Sequence, residues 1–168
     1  MRINFDMDGV LAKFLFGTPF SNLYKEHYWT NLPPQENPLN AAKVLTSSYD
    51  VGIVSAYLKD SPYALNEKKG WLRKQIPEIP EESWSFLPCG ESKGTFLLHP
   101  GDILIDDRWV HGKEWTDAGG KFIKVSVNKE DAAKESKRYP FVIYPEMKVA
   151  EILDVVERTK NGTEKTSC

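Results

Sequence analysis

Asp6 and Asp8 stand two residues apart after Ile3 and Phe5, which alternate with polar neighbours, and Gly9 follows at once. Such alternation predicts a short strand. At a strand's end the chain leaves the pleat, so both carboxylates can face one crevice. Two close carboxylates repel by several kcal/mol at low effective dielectric. A cation between them relieves this, and Mg2+ is the usual hard ion for oxygen ligands. Gly9 permits the tight turn that the pairing needs. A second acid pair, Asp106 and Asp107, follows Ile103-Leu104-Ile105. Ser55 ends another apolar run, over residues 50–55. Each feature has a plainer alternative: acids as turn formers, a serine as a helix cap, lysines on a solvated helix face.

The rest of the chain reads as the scaffold for these groups. At 168 residues, with 40% hydrophobic and 27% charged, it suits one soluble globular domain. A net charge of -2 offers no basic field for a nucleic-acid polymer. No apolar run approaches the roughly 20 residues that span a bilayer, and a strand at the start leaves no room for a signal peptide. Two cysteines, Cys89 and Cys168, make no disulfide framework and fit a reducing, cytoplasmic setting. The sequon at Asn161-Gly162-Thr163 lies in a polar stretch and is read as chance.

Apolar spacing predicts helices over 37–49, 62–75 and 109–118, and a last helix from Pro145 with Val149, Ile152, Leu153 and Val156 as core. Strands are predicted over 50–55, 84–88 and 121–125, with an edge strand over 141–144; 128–138 reads as a charged helix or loop, and 161–168 as a polar tail. Apolar strands flanked by helices mark a parallel α/β sheet. Between the first strand and the first helix comes an aromatic segment with Phe14, Phe16, Phe20, Tyr24, Tyr28 and Trp29, and Ser21 is placed to cap a helix through Tyr28. Its aromatics form either a wall that stacks on a substrate's ring or the segment's own core. His27, His99 and His111 lack metal-ligand spacing and read as structural or solvated.

Asp6-Met7-Asp8-Gly9-Val10-Leu11-Ala12 resembles the first motif of the haloacid dehalogenase (HAD) superfamily, and Ile103-Leu104-Ile105-Asp106-Asp107 resembles its fourth. Ser55 sits where the second motif places a hydroxyl, and Lys93 where the third places a lysine. Within the superfamily the chain is similar to the 5'(3')-deoxyribonucleotidases, including short bacterial and phage-type members. Pro62-Tyr63 and Glu67-Lys68 with Trp71 add to that likeness.

The resemblance implies a HAD-like Rossmannoid three-layer α/β fold. Its core would be 1–12 and 36–160, with a small helical cap over about 13–35 inserted after the first strand. It implies Asp6 as nucleophile, Asp8 as general acid and base, and Asp6, Asp8 and Asp106 around Mg2+. Ser55 and Lys93 would hold the phosphoryl oxygens, and Asp107 would orient water or Lys93. Phe14, Tyr28, Trp29, Ala56 and Lys68 would line the substrate side. Whether Lys68 or Lys93 contacts the phosphoryl group stays open, as does the choice between Asp106 and Asp107 as direct ligand.

The implied activity is a Mg2+-dependent phosphomonoesterase acting on a small phosphate ester, a deoxynucleoside monophosphate first. The alternatives are a sugar-phosphate phosphatase, a non-catalytic binding protein on the same fold, and a nucleic-acid 3'-end phosphatase, against which the lack of basic excess counts. No membrane partner is expected, and a homodimer is left open.

Overall fold

The computed structural model describes residues 1–14 and 17–162. Phe16 of the aromatic segment, and Thr163 and Cys168 of the polar tail, lie outside the described residues.

Six strands form one parallel sheet: β1 (Arg2–Phe5), β2 (Asp50–Tyr57), β3 (Trp84–Pro88), β4 (Ile103–Asp106), β5 (Lys121–Val125) and β6 (Val142–Ile143). Their order is β3-β2-β1-β4-β5-β6. The helices are α1 (Glu36–Leu45), α2 (Ala64–Gln75), α3 (Trp109–Asp117), α4 (Lys129–Glu135) and α5 (Val149–Asn161).

Alternation along the strands supplies two cores. On β4, Ile103 and Ile105 pack with Ile152, Val155 and Val156 of α5 and Leu39, Ala42 and Leu45 of α1. Leu104 between them points the other way, to Trp115 of α3, with Val54 and Leu87. Helices on both faces make the three layers. Strand order reverses where β1 meets β4. There the crossovers leave to opposite sides and open a crevice at the carboxyl ends of the strands. The register sets Phe5 level with Ile53 on β2 and with Ile105 on β4. Asp6 therefore leaves β1 beside the tip of β4, its N–H donating to the Ile105 carbonyl at 3.0 Å.

Several predicted elements differ in extent. The helix expected from Ser21 through Tyr28 is a single 3-10 turn, Phe20–Tyr24. It stops because Lys25 is extended and His27 is left-handed, with φ 66°. The last helix begins at Val149 rather than Pro145, its start marked by Glu151 accepting the Lys148 N–H at 3.1 Å. It runs on to Asn161, where Gly162 caps it at φ 69°. Its buried face is Ile152, Val155, Val156 and Thr159, with Val149 and Leu153 at the core's margin. Lys93 starts a 3-10 turn, Lys93–Phe96, that packs on α3. Among the described residues no helix is long and apolar enough to cross a membrane.

Residues 13–35 are tied to the sheet domain by a buried indole. Trp71 of α2 is 1% exposed and donates from Nε1 to the Leu32 carbonyl at 2.7 Å. Trp71→Phe keeps the ring packing but leaves that carbonyl without its donor. Urea unfolding should show a loss of about 1–3 kcal/mol; an unchanged midpoint would mean the bond contributes nothing.

Candidate active site

Asp6 is buried at the end of β1, and its Oδ1 accepts the Met7 N–H at 2.7 Å. The chain then doubles back: the N–H groups of Leu11 and Ala12 both donate to the Met7 carbonyl, at 2.9 and 2.8 Å. Gly9 sits in this turn at φ 73°. A Cβ there would lie 2.5 Å from Asp107 Oδ2, so the position demands glycine for conformation and for space.

Across the crevice, Asp106 ends β4 and Oδ1 accepts the Arg108 N–H at 2.7 Å. The fully buried Lys93 ammonium lies between the two strand tips, 2.6 Å from Asp106 Oδ2 and 3.1 Å from Asp6 Oδ2. His111 Nδ1 is 3.0 Å from the same Asp106 oxygen. Lys68, also fully buried, reaches in from α2, pairs with Asp8 Oδ2 and donates to the Ala56 carbonyl at 2.5 Å. Ser55 Oγ and Asp8 Oδ1 are buried with no hydrogen-bond partner among the described residues.

Four carboxylates, Asp6, Asp8, Asp106 and Asp107, thus face the ammonium groups of Lys68 and Lys93; a third, Lys124, also acts on Asp107 but is paired with Glu135 at 3.4 Å. Even a protonated His111 leaves an excess of negative charge. Burial opposes the charge on Lys93, but Asp106 and Asp6 outweigh it and push the ammonium up to about 12. Burial also works against Asp106, yet Lys93 and His111 hold its carboxyl well below the usual range. The excess falls on the other two acids. Burial raises Asp8, with Lys68 pulling the other way and Asp6 adding to the rise. Burial, then Asp106 and Asp6, push Asp107 up to about 8.

This donor set suits a hard divalent cation: carboxylate oxygens, excess negative charge and a carboxyl that must otherwise keep a proton. One oxygen each of Asp6 and Asp106 and a ring nitrogen of His111 lie within 4.8 Å of one another, a span one ion can bridge. Both oxygens of Asp106 already accept from the protein, however, and Lys93 already supplies a positive charge between Asp106 and Asp6. Asp6 is engaged in the same way, by the Met7 N–H and by Lys93, whereas Asp107 accepts no hydrogen bond among the described residues and offers a new cation the larger electrostatic gain.

Asp6, Asp8, Lys68, Lys93, Asp106 and Asp107 all lie at the carboxyl ends of β1 and β4 or reach them, whereas Ser55 lies inside β2, which runs two residues past it to Tyr57. The substrate-side expectations fare differently. Lys68 is committed to Asp8 and to the Ala56 carbonyl, which use two of its three N–H donors. Trp29 is 3% exposed and donates to the Leu23 carbonyl, so it is core of its segment rather than a free wall. Phe14 stacks on it at 6.0 Å, and Tyr28 meets it edge-on at 5.0 Å. Phe14 is half-buried and lines a cavity of about 760 Å³ with Gly9, Asp107, Arg108, Trp109 and Lys124.

Of the two readings of the histidines, His111 takes the structural one, buried against Asp106, and it also stands close enough to Asp6 and Asp106 to share an ion, which spacing along the chain did not show. The signal was available in outline, since α3 starts just after the acid pair and its first turn returns over the strand tip.

No protein-family model and no curated protein matches the sequence. Among solved structures the chain is similar to D,D-heptose 1.7-bisphosphate phosphatase from B. bronchiseptica, complexed with magnesium and phosphate. The two share 13% identity, with a TM-score of 0.63 over 94% of this chain and 98% of that one. At that identity the likeness establishes the shared fold.

Two measurements probe this charge balance. From the ordinary carboxyl value of 3.8 up to about 8, Asp107 keeps a proton only when folded. The folded state then binds more protons, so metal-free stability falls as pH rises through that window, and Asp8 adds in the same direction. Thermal melts with a chelator should show Tm falling from pH 5 to pH 8, and added Mg2+ should raise Tm more at pH 8 than at pH 5. A Mg2+ effect independent of pH counts against the carboxylate site. Lys93→Met strands Asp6 and Asp106 without their shared cation and should cost about 3–5 kcal/mol in chemical unfolding.

Proposed function

We propose that this protein is a Mg2+-dependent phosphomonoesterase that works through an aspartyl-phosphate. The observation that carries the reading is the buried charge excess around Asp6, together with an Asp8 oxygen and, on the neighbouring strand, a Ser55 hydroxyl that are buried without partners among the described residues. The shared fold with a phosphatase that binds magnesium and phosphate supports it. Asp6, the Asp8 carbonyl and Asp106 would hold the cation, with Asp107 adding an unengaged carboxyl beside them and Asp106 also positioning Lys93. When bound, Mg2+ supplies charge neutralisation to the substrate's phosphate oxygens.

The chain's own groups account for the remaining steps. A carboxylate oxygen of Asp6 attacks phosphorus in line, and the bond to the leaving oxygen breaks. Asp8, whose carboxyl is raised by burial, gives its proton to the departing alkoxide. Lys68 keeps Asp8 aimed at the crevice. Ser55 Oγ donates to a phosphoryl oxygen, and Lys93 stabilises the charge that builds there. Water then gives a proton to Asp8 and attacks the aspartyl-phosphate, releasing phosphate and restoring Asp6.

The substrate we favour is a deoxynucleoside monophosphate. The resemblance of the first and fourth motifs and of residues 67–71 to the deoxyribonucleotidases supports it. So does the aromatic lining of the cavity by Phe14 and Trp109, which suits a flat base. A sugar phosphate is the second reading, favoured by the heptose bisphosphate phosphatase whose fold this chain shares. Phosphate release over a panel of nucleotides and sugar phosphates, with and without Mg2+, distinguishes them. Asp6→Asn should lower turnover by on the order of 10³-fold or more while the fold, read by circular dichroism, is retained. Normal turnover in that variant would refute the nucleophile assignment.

A further inference from the structure

Residues 13–35 carry Phe14, Tyr28 and Trp29, yet their described part holds little regular structure beyond the 3-10 turn Phe20–Tyr24. The turn at 27–30 is held by one side chain from outside the segment. Glu67 Oε1 accepts the His27 N–H at 2.6 Å, and Oε2 accepts those of Trp29 at 3.0 Å and Thr30 at 3.4 Å. Backbone N–H groups converging on one carboxylate form an anion-binding nest, here occupied by the chain's own acid.

His27 is the only non-glycine residue at positive φ among those described. Such a conformation persists only where its surroundings over-determine it, and the Glu67 carboxylate does so. The next residue of α2, Lys68, meets the other half of the same turn, its ammonium 4.4 Å from the Trp29 ring, and pairs with Asp8. One helical turn thus holds the segment and the acid of the crevice in a single arrangement.

We propose that Glu67 is a positioning residue for substrate selection. It touches no reacting atom; it fixes the backbone that presents Trp29, on which Phe14 stacks at the edge of the cavity. This rests on the phosphatase reading above. Without Glu67 the 27–30 turn relaxes and the Trp29–Phe14 stack loosens. A substrate whose leaving group fills the cavity then loses binding. A small ring-free phosphate, held by the crevice alone, does not.

The test uses the full chain, wild type and with Glu67→Ala or Glu67→Gln. Hydrogen exchange at the amides of 27, 29 and 30 reads the clamp without turnover. Steady-state kinetics with deoxyuridine monophosphate, a hexose phosphate and acetyl phosphate read selection. In Glu67→Ala the three amides should lose protection. KM for whichever of the first two is turned over should rise about tenfold, with kcat and KM for acetyl phosphate held within about twofold. Glu67→Gln, which keeps one acceptor oxygen, should lose protection at only part of the turn. Retained protection in Glu67→Ala overturns the clamp. Equal loss on all substrates, or turnover of acetyl phosphate alone in the wild type, overturns the role in selection. A wild type that releases phosphate from none of the three sinks the phosphatase reading and the selection role with it, while the exchange result still reports the clamp.

Discussion

The Lys93 ammonium, enclosed between Asp6 and Asp106, is the interaction on which the crevice depends. Three charges with almost no access to water are costly to bury, and they are tolerable only in close mutual contact with their other lone pairs satisfied. The backbone provides the remainder: Met7 N–H for Asp6, Arg108 N–H for Asp106. Such an arrangement needs adjacent strands that end at the same height. Pairing of β1 with β4, at the point where strand order reverses, supplies that geometry. The lysine itself comes from the 3-10 turn after β3, and that turn packs on α3. The helix that brings His111 to Asp106 therefore also seats Lys93.

Engaging Asp106 so fully shifts the imbalance elsewhere. Asp8 has one partner, Lys68, and Asp107 has no hydrogen bond from the protein among the described residues. A chain selected only for stability would gain by neutralising one of these acids. Keeping both beside a cavity makes sense if a cation and an anionic substrate complete the charge. The local backbone agrees with this reading. Gly9 is held at positive φ directly against Asp107, so the acid turn and the second acid pair are fitted to each other rather than merely near. The buried Asp8 oxygen without a partner lies where chemistry is expected.

Much of the fold could be read from residue order. Asp6-x-Asp8-Gly9 and Ile103-Leu104-Ile105-Asp106 announce strand tips because apolar alternation and glycine act locally, and β3 falls on the predicted residues 84–88. The segment over 13–35 was harder. Its aromatics suit a wall and a core equally, and only packing shows Trp29 buried with its indole bonded to Leu23. His111 was passed over because its partner is five residues away on another element, and metal-ligand spacing along a chain does not describe a strand-to-helix corner. Glu67 stood in the sequence only as part of the likeness over 67–71, and nothing there showed its hold on the turn, since the N–H groups it accepts lie about forty residues earlier.

The sequence alone determined that acids stand at the ends of two buried strands, that a glycine turn follows the first pair, and that the sheet is parallel. These depend on short-range sterics and on the period of apolar residues, both of which operate within a few residues. Only the tertiary structure decided which lysine meets which acid, that Asp106 is saturated while Asp107 is not, and where the charge excess comes to rest. Coulomb energy and desolvation depend on distances across the fold and on how much water remains between groups. Neither quantity exists until the chain has closed around them.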